Sequence, residues 1–214
     1  MSHQQLLYYF FEVGIITNYF DYLTYPLLSL GACLVLCLMI EQDNSAMRNL
    51  SEIFCRVIAW FSGYTGMWIG KWALASCILH QNIFKEATAC ILNRSSSIIL
   101  GESVSRWFAI TINLETSLEG LSIGMLLIIL IICIIVGIFQ WRKAINDWLG
   151  YILCLIVITA LPLGWYFVLS NHSCMHSFIT YRTLAIAVMC ILAFCWKLKP
   201  NTVTADGKND RIPT

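Results

Sequence analysis

Long apolar runs separated by short polar intervals set the layout of this 214-residue chain. The runs cover 24–40, 53–79, 121–139, 148–169 and 179–196. A helix needs roughly 20 apolar residues to cross a hydrocarbon core of about 30 Å. The run 24–40 sits at the lower limit, which extension back to Tyr19 relieves. The run 121–139 is almost uninterrupted Ile and Leu, and 148–169 is equally apolar around Pro162, which removes one backbone donor. The opening residues 6–20 are apolar and aromatic but interrupted by Glu12 and Asn18, with Asp21 following. They lack the basic start and cleavage site of a signal peptide. They read as an interfacial helix or as the entrance to the first span.

This pattern predicts an all-α fold: a polytopic transmembrane helical bundle of about five spans plus interfacial helices. A single domain covers 1–196, and a polar tail at 197–214 is expected to be disordered. The interval 80–119 mixes Lys85, Glu86, Arg94, Glu102, Arg106, Glu115 and Glu119 with short apolar pieces. It reads either as amphipathic helices at the interface or as a solvated loop with short helices.

Composition strengthens the membrane reading. The chain is 59% hydrophobic and 12% charged, with a mean hydropathy of +0.74. Soluble domains carry about 25% charged residues. A formal net charge of +1 gives no field to attract nucleic acid. Of ten cysteines, most lie inside apolar runs, where Cys acts as a small hydrophobe, and no CxxC pair exists. No metal or cofactor is expected. Cys90 and Cys174 are the candidates for a disulfide on an oxidising side.

Basic residues set the expected orientation. Arg142 and Lys143, and then Lys197, Lys199, Lys208 and Arg211, fall on one side, two spans apart. That side is read as cytoplasmic, which places the C-terminus inside and 170–180, 80–119 and the N-terminus outside. Lys85, Arg94 and Arg106 run against the rule, so their interval is a candidate for binding an anion.

Candidate chemistry concentrates between Asn171 and Arg182. His172 and His176 lie four apart, on one face if helical. Such a pair serves a metal, hydrogen-bonds a headgroup or sugar, or fixes a helix end. Ser173 stands where a zinc helix carries Glu, and no third ligand is evident. Lys71 lies inside an apolar run, where a cation needs water, a partner or an anion. We therefore expect Lys71, His176 and Arg182, with Asn171, His172 and Tyr181, to line a phosphate-binding pocket at the outer leaflet. The alternative is that Lys71 snorkels alone. Trp68 and Trp72 read as interface-belt or packing residues. Gly63, Gly66 and Gly70 form a small-residue face suited to packing against another helix. The acidic set Glu102, Glu115 and Glu119 reads as solvated charge.

Two strings carry a family resemblance. Gly63-Tyr64-Thr65-Gly66-Met67-Trp68-Ile69-Gly70-Lys71-Trp72 and the later Asn171-His172-Ser173, His176, Phe178 and Thr180-Tyr181-Arg182 resemble the C-terminal parts of uncharacterised bacterial multi-spanning membrane proteins. Those are loosely similar to integral-membrane glycosyltransferases that use lipid-phosphate sugar donors. The resemblance implies a bacterial plasma-membrane protein that handles a lipid-linked phosphate or sugar in envelope glycan assembly, with the bilayer and a lipid-phosphate sugar as partners. Such enzymes carry an acidic motif in an early outward loop, which this chain lacks. That departure implies a C-terminal portion or a shortened relative. The alternatives are a non-catalytic subunit that packs against another membrane protein and, third, a small transporter. Five spans do not divide into the equal halves a transporter favours.

Overall fold

The computed structural model describes residues 2–21, 23–40, 46–99, 101–120 and 145–197. They form α1 (His3–Phe20), α2 (Leu27–Ile40), α3 (Ala46–Leu79) and α4 (Ile83–Arg94). A small antiparallel hairpin follows, β1 (Ile98–Ile99) and β2 (Glu102–Ser103), and then α5 (Arg106–Gly120). The remainder is α6 (Ile145–Val168), α7 (Ser170–Met175), α8 (Ser177–Thr180), a 3-10 turn (Tyr181–Leu184) and α9 (Ala185–Lys197). The fold is all-α, with the hairpin as its one extended feature among the described residues.

Two helical segments, 150–168 and 177–197, are long and apolar enough to cross a membrane, and α2 is apolar but shorter. Five spans do not emerge by that measure. α3 carries Arg56, Lys71 and a series of Trp, Tyr, Gly and Ser residues that dilute its hydropathy. The expected span 121–139, the basic pair Arg142-Lys143 and the tail 198–214 lie outside the described residues.

The opening residues form a full helix. Ser2 and Gln5 make a capping box: the Gln5 N–H donates to Ser2 Oγ at 3.2 Å, and the Ser2 N–H donates to Gln5 Oε1 at 2.8 Å. Along α1, Leu6, Phe10, Gly14 and Asn18 are buried at a spacing of four, a narrow stripe facing α3. His3 pairs with Glu52 at 2.8 Å, Gly14 abuts Trp60, and Asn18 meets Lys71. Both partners rise together along the sequence, so α1 and α3 are parallel, and α2 runs back between them. A polar knot ties the three helices. Thr17 Oγ1 and Ser29 Oγ are 2.7 Å apart, and Trp60 Nε1 donates to Ser29 Oγ at 3.2 Å.

α6 and α9 are antiparallel. Tyr151 donates to the Ala193 carbonyl at 3.3 Å, and Tyr166 donates to the Thr180 carbonyl at 2.8 Å. Gly31 of α2 sits against Ile186 of α9. α1, α3 and α6 therefore run one way, and α2 and α9 the other. The described residues of 21–26, 79–120 and 168–184 gather at one end of the bundle. His3, Glu52, Tyr151 and Lys197 mark the opposite end.

The core joins Phe10, Leu30, Leu34, Trp60, Ile158 and Ile186. The outward faces are apolar as well: Phe54, Phe61 and Leu74 on α3, Leu153 and Ile156 on α6, and Leu192 and Trp196 on α9 are all exposed. Patches of this extent are unusual on a protein surrounded by water.

Candidate functional site

Many polar groups of the described residues collect at the end formed by the described parts of 21–26, 79–120 and 168–184. After α1 the chain turns sharply. Asp21 accepts from the Thr24 N–H at 2.6 Å and the Tyr25 N–H at 3.1 Å, so its carboxylate closes the turn, and Pro26 leads into α2. Within this turn Leu23 has φ 68, the left-handed region that a branched side chain rarely enters. Its carbonyl accepts a hydrogen bond from His172 Nε2–H at 2.8 Å. A carbonyl can only accept, which fixes the neutral ring as the Nε2–H tautomer. Burial pushes the His172 pKa below the usual imidazole value.

α7 is held from its other side by the hairpin. The Asn171 N–H and Ser170 Oγ–H donate to the Ser96 carbonyl at 3.1 and 2.7 Å, and Asn171 Nδ2 donates to the Ile98 carbonyl. The α5 residue Asn113, fully buried, donates to the Ala109 and Ser173 carbonyls at 2.8 and 2.9 Å and accepts from Thr180 Oγ1 at 2.7 Å. Arg106 lies over the Phe167 ring at 5.7 Å. Asn171, His172 and Thr180 thus lock three segments onto the end of α6. The helix-end role, rather than a metal or a headgroup, is what the contacts of His172 satisfy.

His176 is exposed at the end of α7, its ring 4.8 Å from that of His172. Arg182 is exposed and Tyr181 half-buried on the 3-10 turn. Lys71 goes elsewhere. Its Nζ donates to the Asn18 carbonyl at 2.8 Å and to Asn18 Oδ1 at 3.1 Å, and lies 5.4 Å from the centre of the Tyr19 ring. The expected pocket of Lys71, His176 and Arg182 is therefore not assembled among these contacts. Lys71 serves the carbonyl end of α1, where a cation is favoured by the helix dipole. The expectation looked for an anion because neither span holds an acid. A backbone acceptor on a third helix leaves no such mark in the sequence.

The glycine face divides. A Cβ at Gly63 would run into the Phe11 carbonyl, and one at Gly14 into the Trp60 carbonyl. Gly66 and Gly70 have nothing within 4 Å of an added Cβ. The close approach in the chain runs through Gly14 and Gly63, not through Gly66 and Gly70. Cys90 and Cys174 are free thiols, the first exposed and the second half-buried. Glu102, Glu115 and Glu119 are exposed. Among the described residues no three His, Cys, Asp or Glu side chains gather at one point.

A cleft of about 860 Å³ opens between α3 and α6, roofed by the end of α4. Its α3 wall is a ladder of aromatics at a spacing of four. Trp60 stacks on Tyr64 at 4.9 Å, Tyr64 meets Trp68 at 5.3 Å, and Trp68 stacks on Trp72 at 5.7 Å. Tyr64, Trp68 and Trp72 face the cleft, and Val157, Leu161, Gly164 and Trp165 of α6 face them. Arg94, the last residue of α4, also lines it. Two polar atoms, one on each of these walls, are buried without a partner among the described residues, Tyr64 Oη and Trp165 Nε1. The cleft was not legible as a site, because its members come from helices far apart in sequence. Only the period-four aromatics from Trp60 to Trp72 hinted at a continuous wall.

No protein-family model, curated protein or solved structure matches the chain.

Proposed function

We propose that this chain is an integral-membrane protein of six spans that admits a lipid-borne ligand between α3 and α6. The spans are α1, α2, α3, the sequence run 121–139, α6 and the segment 177–197. An even number agrees with the helix directions, which bring the first and last described residues to one end. The apolar outward faces of α3, α6 and α9 support immersion in lipid. The basic residues near the C-terminus support a cytoplasmic location for that end and an outer-leaflet location for the cleft.

The observation that carries the ligand is the cleft itself. Its volume lies within the range of small-molecule pockets, roughly 300–1,000 Å³. Its walls are apolar and aromatic, which suits an acyl or isoprenoid chain. A lipid-linked phosphate or sugar of the envelope belongs to this ligand class. Among the described residues that line the cleft, none is Asp, Glu or His. Binding or presentation of a lipid, rather than glycosyl transfer, is therefore the activity the geometry favours, since transfer needs a positioned acid or base.

Gly164 provides the test. It lines the cleft, and a Cβ there meets nothing within 4 Å. Gly164→Phe should fill the cleft with little disturbance of the helices. Native mass spectrometry after extraction in mild detergent should find lipid retained by the wild type and lost from the variant. Equal retention by both would remove the cleft as the binding place.

A further inference from the structure

We propose that Arg94, Tyr64 and Trp165 form a headgroup site in this cleft, selecting an amphiphile that ends in a carboxylate or a phosphate. The inference rests on the lipid-binding reading above and adds the chemistry of the ligand's polar end.

Two donors of the cleft walls have no partner among the described residues. Tyr64 is only 1% exposed, and its hydroxyl finds no hydrogen-bond partner among the described residues. Trp165 Nε1 is equally without one. Buried donors left unmatched are rare in native proteins, because burial removes their water and nothing replaces it. Here the two come from different walls of one cleft, Tyr64 from α3 and Trp165 from α6. A single acceptor group placed between the walls would satisfy both.

Arg94 supplies the charge. It is half-buried at the roof, and no carboxylate of the described residues forms a salt bridge with it. A guanidinium at the edge of an apolar cleft, where the local dielectric is low, attracts an anion more strongly than it does in open water. Its forked donors match the two oxygens of a carboxylate or phosphate. Three residues that carry donors thus line one cleft, and among the described lining residues none is a carboxylate.

Asp21 sets a limit. Its carboxylate lies within electrostatic reach of Tyr64, although two backbone N–H groups and a hydroxyl hold it in the turn. A second negative charge on the ligand would meet this carboxylate. The doubly charged form of a phosphate monoester is therefore not expected to gain over a singly charged headgroup.

The tryptophans of the cleft make the test direct, since Trp68, Trp72 and Trp165 all line it. Bromine quenches indole fluorescence at short range. The probes are 9,10-dibromostearic acid, the corresponding dibromo alcohol and the corresponding dibromo alkyl phosphate, titrated into the purified protein in neutral detergent. The acid and the phosphate should quench at concentrations about tenfold or more below the alcohol, as expected for charge-assisted hydrogen bonds. Arg94→Gln should bring all three within about twofold of one another. Tyr64→Phe keeps the ring and its stacking, and should weaken the acid by roughly threefold or more.

An alcohol that binds as tightly as the acid, or a preference that survives both substitutions, would overturn the headgroup assignment while leaving the lipid cleft intact. Quenching by all three probes that persists unchanged in Gly164→Phe would remove the cleft and this site together. Preference for the phosphate over the acid would identify a lipid phosphate as the source of the anion, and the reverse a free fatty acid. Both sustain the site.

Discussion

His172 joins residues that lie 149 positions apart, through one hydrogen bond to the Leu23 carbonyl. That carbonyl belongs to a residue in the left-handed region, a conformation costing about 1–3 kcal/mol when the surroundings do not enforce it. Asp21 and His172 are the enforcers. The Nε2–H donates to this carbonyl in either protonation state, but burial disfavours the charged ring. Because burial lowers the His172 pKa, the unfolded chain takes up the proton more readily than the folded one. The stability contributed here is complete above the ordinary histidine value of about 6.5. It declines as pH falls below that value and levels off once the folded ring also titrates. We expect the Tm in detergent to drop between pH 7.5 and pH 5, and the drop to shrink in His172→Gln. An equal drop in both would place the responsible titration elsewhere. Asn113 is the other single residue on which this end depends. Asn113→Leu should cost about 1–3 kcal/mol, since it removes the buried hydrogen bonds to the Ser173 carbonyl and the Thr180 hydroxyl, which keep the longer contacts at 3.4 and 3.1 Å.

At the scale of elements, the parallel pair α1 and α3 stands on two glycines. Gly14 and Gly63 each face the partner's backbone, so no side chain fits without separating the helices. Gly63→Leu should destabilise the protein by roughly 1–3 kcal/mol or more. Gly66→Leu and Gly70→Leu meet open space and should change stability by about 0.5 kcal/mol or less. Thermal unfolding of the three variants in one detergent checks this, and an equal loss from all three would contradict it. What the sequence disclosed follows the same division. The segments 150–168 and 177–197 were legible because long apolar runs dominate them, with Arg182 and Lys197 the charges in the second. α1 was legible only in outline, because Glu12 and Asn18 break the apolar pattern that marks a span. The stripe of Leu6, Phe10, Gly14 and Asn18 and the Ser2–Gln5 box were the signals available for it. The polar stretch from Asn171 was conspicuous in the sequence, yet its side chains mostly hold the fold. The cleft donors Tyr64, Arg94 and Trp165 were inconspicuous, because only the fold brings them together.

For the whole molecule, the addition of α1 changes the arrangement of the ends. Sequence reasoning put the N-terminus and the C-terminus on opposite sides. α1 instead runs alongside α3 from the level of Glu52 to that of Lys71, so residue 3 lies at the same end as Lys197. In intact cells, a membrane-impermeant maleimide should label Cys90, which is exposed at the other end, in a chain otherwise free of cysteine. It should leave Ser2→Cys in the same background unlabelled until the membrane is permeabilised. Labelling of both sites from outside would break the parallel pairing. Cys90 is the better reporter than Cys174, which is half-buried and whose pKa burial raises, reducing its reactive thiolate.

The contact between Leu23 and His172 also has a meaning in time. A ribosome adding about 5–20 residues per second needs roughly 7–30 s to travel from one to the other. α1, α2 and α3 can associate early in that interval, since Gly14, Ser29 and Trp60 are all within their own sequence. The aromatic ladder of α3, however, has no opposite wall until α6 emerges. During synthesis it therefore presents Tyr64, Trp68 and Trp72 to whatever surrounds the nascent chain, and the turn at Leu23 waits without its clasp. The second wall is complete at Val168, just before His172 arrives to close this joint, so a chain arrested before α6 would be born with neither.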